Sequence, residues 1–206
     1  MQPRAVIFDV GGVLYQWDPR NLYERLIDDD RALDAFLADV VTRDWHFQHD
    51  QGRPFADTSA ELIARFPEHA ALIRAWGPRF EESMGPPVPG MPELVAELDS
   101  AGVPLFGITN FSGEFWPEVR GARGEIFDRF RDIIVSGDEL MWKPHAPIYA
   151  LARDRFGLAP GEAVFIDDVP ANVEGAKAAG IHALLFIDSA TLRTQLAGLG
   201  LLKEDA

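Results

Sequence analysis

Five short apolar runs set the pattern of this chain: Ala5–Phe8, Val103–Ile108, Asp132–Val135, Ala163–Ile166 and Ala183–Ile187. Each is rich in β-branched or aromatic residues, ends near a polar or glycine residue, and shows little polar alternation. Strands buried on both faces read this way, because a parallel sheet covered by helices has no solvent face. Helical patterns flank the later runs over Pro92–Ser100, Ala146–Phe156, Ala171–Ala179 and Thr191–Ala197. Pro92 and Gly102 bracket the first of these as start and stop signals, and Gly198 is expected to stop the last. The β-α-β-α alternation predicts an α/β chain with an open, doubly wound parallel sheet.

The first crossover is too long for that plan. About 80 residues, from Tyr15 to Pro92, separate the first two strands, where about a dozen suffice to reach a neighbouring parallel strand. They hold no convincing strand and read as helices over Asp18–Ile27, Arg31–Thr42, Thr58–Phe66 and His69–Ser83. The stretch Gly85-Pro86-Pro87-Val88-Pro89-Gly90 reads as a stiff return hinge. The expected organisation is a Rossmann-like core of residues 1–15 and 88–206 with an all-helical subdomain, residues 16–87, inserted after the first strand.

Composition excludes several classes of function. With 47% hydrophobic and 25% charged residues the chain is globular in character, not fibrous or disordered. Its net charge of −14 repels nucleic acid and anionic membranes, so neither is an expected partner. The absence of cysteine removes disulfides, thiolate catalysis, zinc–thiolate sites and iron–sulfur clusters. No apolar run reaches the roughly 18–20 residues of a membrane span. The first residues lack a basic segment followed by an apolar one, and a cytoplasmic protein is expected.

Ligands of such sheets bind beyond the carboxyl ends of the strands. Those ends carry Asp9-Val10-Gly11-Gly12-Val13-Leu14, Thr109-Asn110, Lys143-Pro144 and Asp167-Asp168. Three carboxylates gathered at one edge repel each other unless a cation joins them, and oxygen ligands on loops suit Mg²⁺. Asp9, Asp168 and the carbonyl of Gly11 are the expected ligands. The ion and Lys143 would neutralise a phosphoryl group whose oxygens Thr109 and Asn110 hydrogen-bond. A remaining oxygen of Asp9 would attack phosphorus, and water would then release the aspartyl-phosphate. Taken singly these residues are ordinary. Asp9 or Asp167-Asp168 can serve as helix caps, and Thr109-Asn110 is a common exit from a strand. Lys143 stands out as one of three lysines beside sixteen arginines.

In order, Phe8-Asp9-Val10-Gly11-Gly12-Val13-Leu14, Ile108-Thr109-Asn110, Lys143-Pro144 and Phe165-Ile166-Asp167-Asp168 resemble the four motifs of the haloacid dehalogenase (HAD) superfamily. The helical insert is similar to that superfamily's first cap type. Phe115-Trp116-Pro117 and Asp167-Asp168-Val169-Pro170-Ala171-Asn172-Val173 resemble a branch of bacterial sugar-phosphate (glucose-1-phosphate) phosphatases and the phosphatase domain of soluble epoxide hydrolases. The resemblance implies an Mg²⁺-dependent phosphatase of a small metabolite, acting as a monomer or homodimer. It makes Asp9 the nucleophile, Thr109 and Asn110 phosphate ligands, Lys143 the bridge between nucleophile and phosphate, and Asp168 a metal ligand. Asp167 becomes an orienting residue, and Asn172 falls where many relatives carry another acid.

One position departs from that pattern. Most phosphatases of the superfamily have a second aspartate two residues after the nucleophile, which protonates the leaving oxygen. Here that position is Gly11. General acid–base help is worth about 10²–10⁴-fold, so a substitute is expected. His46, His49 and Asp50, within the polar stretch Trp45–Arg53, are the candidates in the insert, with His49 or Asp50 expected to reach the leaving group. Two other readings accommodate Gly11. One is a metal-free 2-haloacid dehalogenase, which the acid pair Asp167-Asp168 opposes. The other is a phosphate-binding member with weak catalysis.

Overall fold

The computed structural model describes residues 2–203. Strand β1 (Ala5–Phe8) is followed by a short β2 (Tyr15–Trp17). The insert then runs through α1 (Arg20–Tyr23), α2 (Asp30–Asp39), α3 (Arg43–Asp50), α4 (Phe55–Arg65) and α5 (Ala70–Ala75). It returns along β3 (Met84–Pro87) into α6 (Met91–Ser100) and β4 (Leu105–Thr109). Next come α7 (Trp116–Ala122), α8 (Gly124–Phe127), β5 (Asp132–Val135), α9 (Ser136–Glu139) and α10 (Ala146–Arg155). The chain closes with β6 (Ala163–Asp167), α11 (Pro170–Ala178), β7 (His182–Leu185) and α12 (Ser189–Gly198).

Five strands form one sheet in the order β5-β4-β1-β6-β7, and every neighbouring pair is parallel. Side chains of β1 alternate between the two faces, as the period of a strand requires. Val6 and Phe8 join one apolar cluster, while Ala5 and Ile7 join the other with Ile148, Tyr149 and Ala152 of α10. Both faces are therefore covered, which is why the runs lack polar alternation. The cluster under Val6 and Phe8 continues into the insert through Tyr23, Phe36 and Trp76. Strand β1 lies between β4 and β6, where the winding of the sheet changes direction. The carboxyl ends of these three strands meet at that point, and a crevice opens there.

Three expectations need correction. The segment Tyr15–Pro92 does contain strand: β2 and β3 pair antiparallel, Tyr15 with Pro87 and Trp17 with Met84. Prolines are tolerated in β3 because a two-stranded ribbon has a free edge on both sides. The supposed hinge is thus partly a pairing segment. Two helices of the insert are much shorter than their patterns suggested, with Asp18–Ile27 reduced to α1 and His69–Ser83 broken into α5 and flanking 3₁₀ turns. Gly198 lies inside the last helix, and Gly200, with φ of 75°, takes the left-handed position just after it.

Helix α3 was hidden by its polarity. Thr42 caps it, its hydroxyl accepting from the N–H of Trp45 at 3.1 Å. His46, His49 and Asp50 fall at i, i+3 and i+4 and are all buried. That face turns inward, toward the sheet edge and the rest of the insert.

Candidate active site

Asp9 is the first residue past β1, and its N–H donates to Ile166 O at 2.9 Å, which ties it to β6. Its Oδ1 accepts from the N–H of Val10 at 2.7 Å and lies 2.8 Å from Lys143 Nζ. Among the described residues Oδ2 has no hydrogen-bond partner. Burial pushes the Asp9 carboxyl up to about 7, against the pull of Lys143, while the charge of Asp167 adds to the rise.

Lys143 is 1% exposed, and its ammonium also donates to Asp167 Oδ2 at 2.7 Å. Burial works against its charge, but the two carboxylates outweigh that and hold its pKa above the ordinary value. Its backbone is fixed from β4. Asn110 Nδ2 donates to Lys143 O at 3.0 Å, and Lys143 N–H donates to Asn110 Oδ1 at 2.9 Å. Asn110 also lines the cleft, so one side-chain amide touches both the lysine backbone and the open space. Thr109, the last residue of β4, is buried beside the same cleft.

Asp167 ends β6 with no exposed surface. Its Oδ1 accepts from the N–H of Val169 at 2.8 Å, and Asn172 Nδ2 lies 3.0 and 3.1 Å from its two oxygens. Asn172 is held in turn, because its carbonyl accepts from the Tyr149 hydroxyl at 2.7 Å. Asp167 therefore anchors Lys143, and Asn172 orients Asp167. Asp168 stands on the open side. Burial and then the charge of Asp167 raise its pKa. A Cβ at Gly12, whose φ is +76°, would come within 2.3 Å of Asp168 Oδ2, so only glycine lets the loop after β1 approach so closely.

Oxygens of Asp9, Asp167 and Asp168 lie within 4.8 Å of one another. One ammonium does not balance three carboxylates, and the donors on offer are all oxygens. That set suits a hard divalent ion such as Mg²⁺, and Asp9, Gly11 and Asp168 all line the cleft.

The cleft over these groups measures about 320 Å³. Trp17, Phe80 and Met84 from the insert give it an apolar wall, and Arg43 of α3 stands at its rim. The sequence reading missed these four. The i, i+3, i+7 spacing of Arg43, His46 and Asp50 was the signal available for Arg43. Asp50 and His46 also line the cleft. His49 does not: its Nε2 lies 2.6 Å from Thr58 Oγ1, and its ring packs against Trp45, Phe55 and Phe115. Of the two residues expected to reach a leaving group, His49 belongs to the packing of the insert and Asp50 to the cleft.

Asp9 thus sits where β1 ends, paired through Oδ1 with a buried lysine. A family model described as haloacid dehalogenase-like hydrolase matches residues 3–180, and the chain belongs to that family. It is 26% identical over 197 residues to the sesquiterpene phosphatase astK of Aspergillus oryzae, covering 90% of this chain and 91% of that one. It is 24% identical over 183 residues to a phosphorylated carbohydrates phosphatase of Thermotoga maritima, covering 87% and 83%. A HAD family enzyme of Bacteroides thetaiotaomicron, solved with magnesium and inorganic phosphate, shares the fold at a TM-score of 0.68 and 18% identity, over 90% of this chain and 95% of that one. Among the described residues no helix is long and apolar enough to cross a membrane.

Proposed function

We propose that this hydrolase is a phosphomonoesterase of a small metabolite, with a sugar phosphate as the favoured substrate class, and that Asp9 is its nucleophile. The observation that carries the reading is the contact between Lys143 and Asp9 Oδ1, which fixes the carboxylate and leaves its other oxygen bare at the cleft. The names of the phosphatase relatives support it.

Asp9, Asp168 and the Gly11 carbonyl would hold Mg²⁺. When bound, the ion would supply positive charge against the phosphoryl oxygens and relieve the repulsion among the carboxylates. Lys143 would keep the attacking carboxylate in place and face the phosphoryl group with its charge. The Asp9 oxygen forms a bond to phosphorus as the ester P–O bond breaks, and the alcohol departs with that electron pair and a proton. Water then attacks the phosphoryl group, the Asp9–phosphorus bond breaks, and inorganic phosphate leaves. Residues 16–87 would act as a cap that shapes the cleft and limits water during the first step. A cleft of about 320 Å³ suits a metabolite and not a folded macromolecule.

The dehalogenase alternative asks the same site to take a halocarboxylate anion without a metal. Asp167 and Asp168 beside Asp9 disfavour a second carboxylate there. The test is a panel of sugar and nucleoside phosphates with Mg²⁺ or with EDTA. Mg²⁺-dependent phosphate release is expected, and Asp9→Asn should lower it by at least about 10⁴-fold. Turnover that survives Asp9→Asn overturns the nucleophile assignment. Chloride release from 2-chloropropionate in EDTA overturns the phosphatase reading.

A further inference from the structure

Gly11 leaves an empty place. A Cβ built there meets no atom within 4 Å, and the residue's φ lies outside the left-handed region. A side chain would fit, yet the sequence provides none. A side chain that protonates the leaving alcohol would therefore belong to another wall of the cleft.

Asp50 forms part of that wall. It is 6% exposed, it lines the cleft together with Asp9, and its Oδ1 is buried with no hydrogen-bond partner. A buried polar oxygen left unpaired is destabilising, so the arrangement needs a reason. His46 Nε2 stands 3.6 Å from Oδ1, beyond a hydrogen bond. Its ring is stacked with Trp17 and Phe80, at centroid distances of 4.9 and 5.5 Å, and burial keeps it neutral. Burial first, and then the charge of Asp9, discourages ionisation of Asp50, and Lys143 only partly opposes that.

The position of Asp50 is fixed. Its backbone carbonyl accepts from Ser136 Oγ at 2.5 Å, and the same hydroxyl accepts from the N–H of Phe111 at 2.9 Å. Ser136 thus fastens the end of α3 to the loop that follows Thr109 and Asn110. The contact is close because two residues lack side chains. A Cβ at Gly137 would lie 2.7 Å from Gly113 N and 3.1 Å from His49 O, and one at Gly52 would lie 2.8 Å from Gly137 O.

We infer that Asp50 is the proton donor to the leaving oxygen, taking over from the insert the role left vacant at Gly11. The inference rests on the phosphatase reading above. In the first step the Asp50 O–H proton passes to the ester oxygen as Asp9 bonds to phosphorus and the P–O bond breaks, so the alcohol leaves neutral. In the second step the Asp50 carboxylate takes a proton from water as the water oxygen attacks phosphorus. Phosphate and the Asp9 carboxylate are released, and Asp50 is protonated again.

The test compares glucose 6-phosphate, with a poor alkoxide leaving group, and p-nitrophenyl phosphate, which needs little protonation. Asp50→Asn is expected to lower kcat/KM, which reports formation of the aspartyl-phosphate and not its hydrolysis, by about 10²–10⁴-fold on the first and by less than about 10-fold on the second. Adding Gly11→Asp to Asp50→Asn should recover at least about 10-fold on the sugar phosphate. The urea midpoint of Asp50→Asn should equal or exceed that of the wild type, since the change removes an unpartnered acid. Equal losses on both substrates, no loss on either, or a lowered midpoint without selective loss on the sugar ester overturns the assignment. If the wild type with Mg²⁺ hydrolyses neither ester, the phosphatase reading itself fails and this inference falls with it.

Discussion

The ammonium of Lys143 lies 2.7 Å from Asp167 Oδ2, and neither side chain is more than 1% exposed. Two opposite charges sealed from water support each other, and removing one strands the other. Lys143→Met is expected to cost about 3–5 kcal/mol of stability for that reason. The loss should depend on pH. Burial already raises the Asp9 carboxyl to about 7, and without the lysine it rises further. An acid whose folded pKa is raised holds a proton that the unfolded chain has released, so its stabilising effect fades as pH rises through the folded value. Urea midpoints should place the variant farther below the wild type at about pH 8 than at about pH 5.

Asn110 holds Lys143 through both faces of one peptide group pair, as donor to its carbonyl and acceptor from its N–H. Asn110→Ala leaves both backbone groups without their partner, at about 1–3 kcal/mol. Because the lysine then loses its fixed position, kcat should fall by about 10–100-fold while KM changes less. Steady-state kinetics and urea unfolding on one preparation check both halves. A change in KM alone would instead assign Asn110 to substrate binding.

Magnesium should stabilise the folded chain as well as activate it. A ligand bound only by the folded form adds about 2.7 kcal/mol at a concentration 100 times its Kd. The thermal midpoint should therefore climb with Mg²⁺ and return on adding EDTA. Asp168 is exposed, so Asp168→Asn should fold normally and lose most of that rise. A rise that is unchanged in Asp168→Asn would remove this residue from the ligand set.

His46 predicts an acid-sensitive insert. Burial lowers its pKa from 6.5 to about 3, with nearby His49 adding a smaller push in the same direction. Between those values the unfolded chain binds a proton that the folded chain refuses, so stability falls as pH drops below about 6.5. The slope for one such group approaches about 1.4 kcal/mol per pH unit. Asp9 and Asp50, both raised, act in the opposite sense, so the effect is read as a difference. His46→Phe keeps a ring between Trp17 and Phe80. Relative to that variant, the wild type should lose stability steadily from about pH 6.5 toward pH 5 in urea titrations.

The sheet was legible because its strands are buried on both sides, and runs such as Ala5–Phe8 and Ala163–Ile166 have nothing else to do. The pattern also led to Asp9, Thr109, Lys143 and Asp167-Asp168, since residues at strand ends follow directly from where the strands stop. The insert was harder. Met84-Gly85-Pro86-Pro87 carries no β signature, and its pairing with Tyr15–Trp17 depends on the two ends of a long excursion meeting in space. Helix α3 buries histidines and an aspartate where a pattern reader looks for leucine. His49 and Asp50 are adjacent, but one residue turns a helix by about 100°, so the unknown phase of α3 decided which faces the cleft. Asn110 shows a further limit. Its residue type fits a phosphate ligand and a backbone clamp equally well, and the clamp becomes visible only once Lys143 is in place beside it.

The ribbon of β2 and β3 has a practical consequence. The chain departs from the sheet and rejoins it through two segments that are already side by side, Trp17 opposite Met84. Everything between them can be treated as a cassette whose ends match any helical excursion that starts and finishes on a paired strand. Transplanting such an excursion from another member of the family would change what the crevice admits without disturbing the register of the five strands beneath it. Ser136 is one graft junction needing care, because the incoming segment must offer it a carbonyl where Asp50 does now.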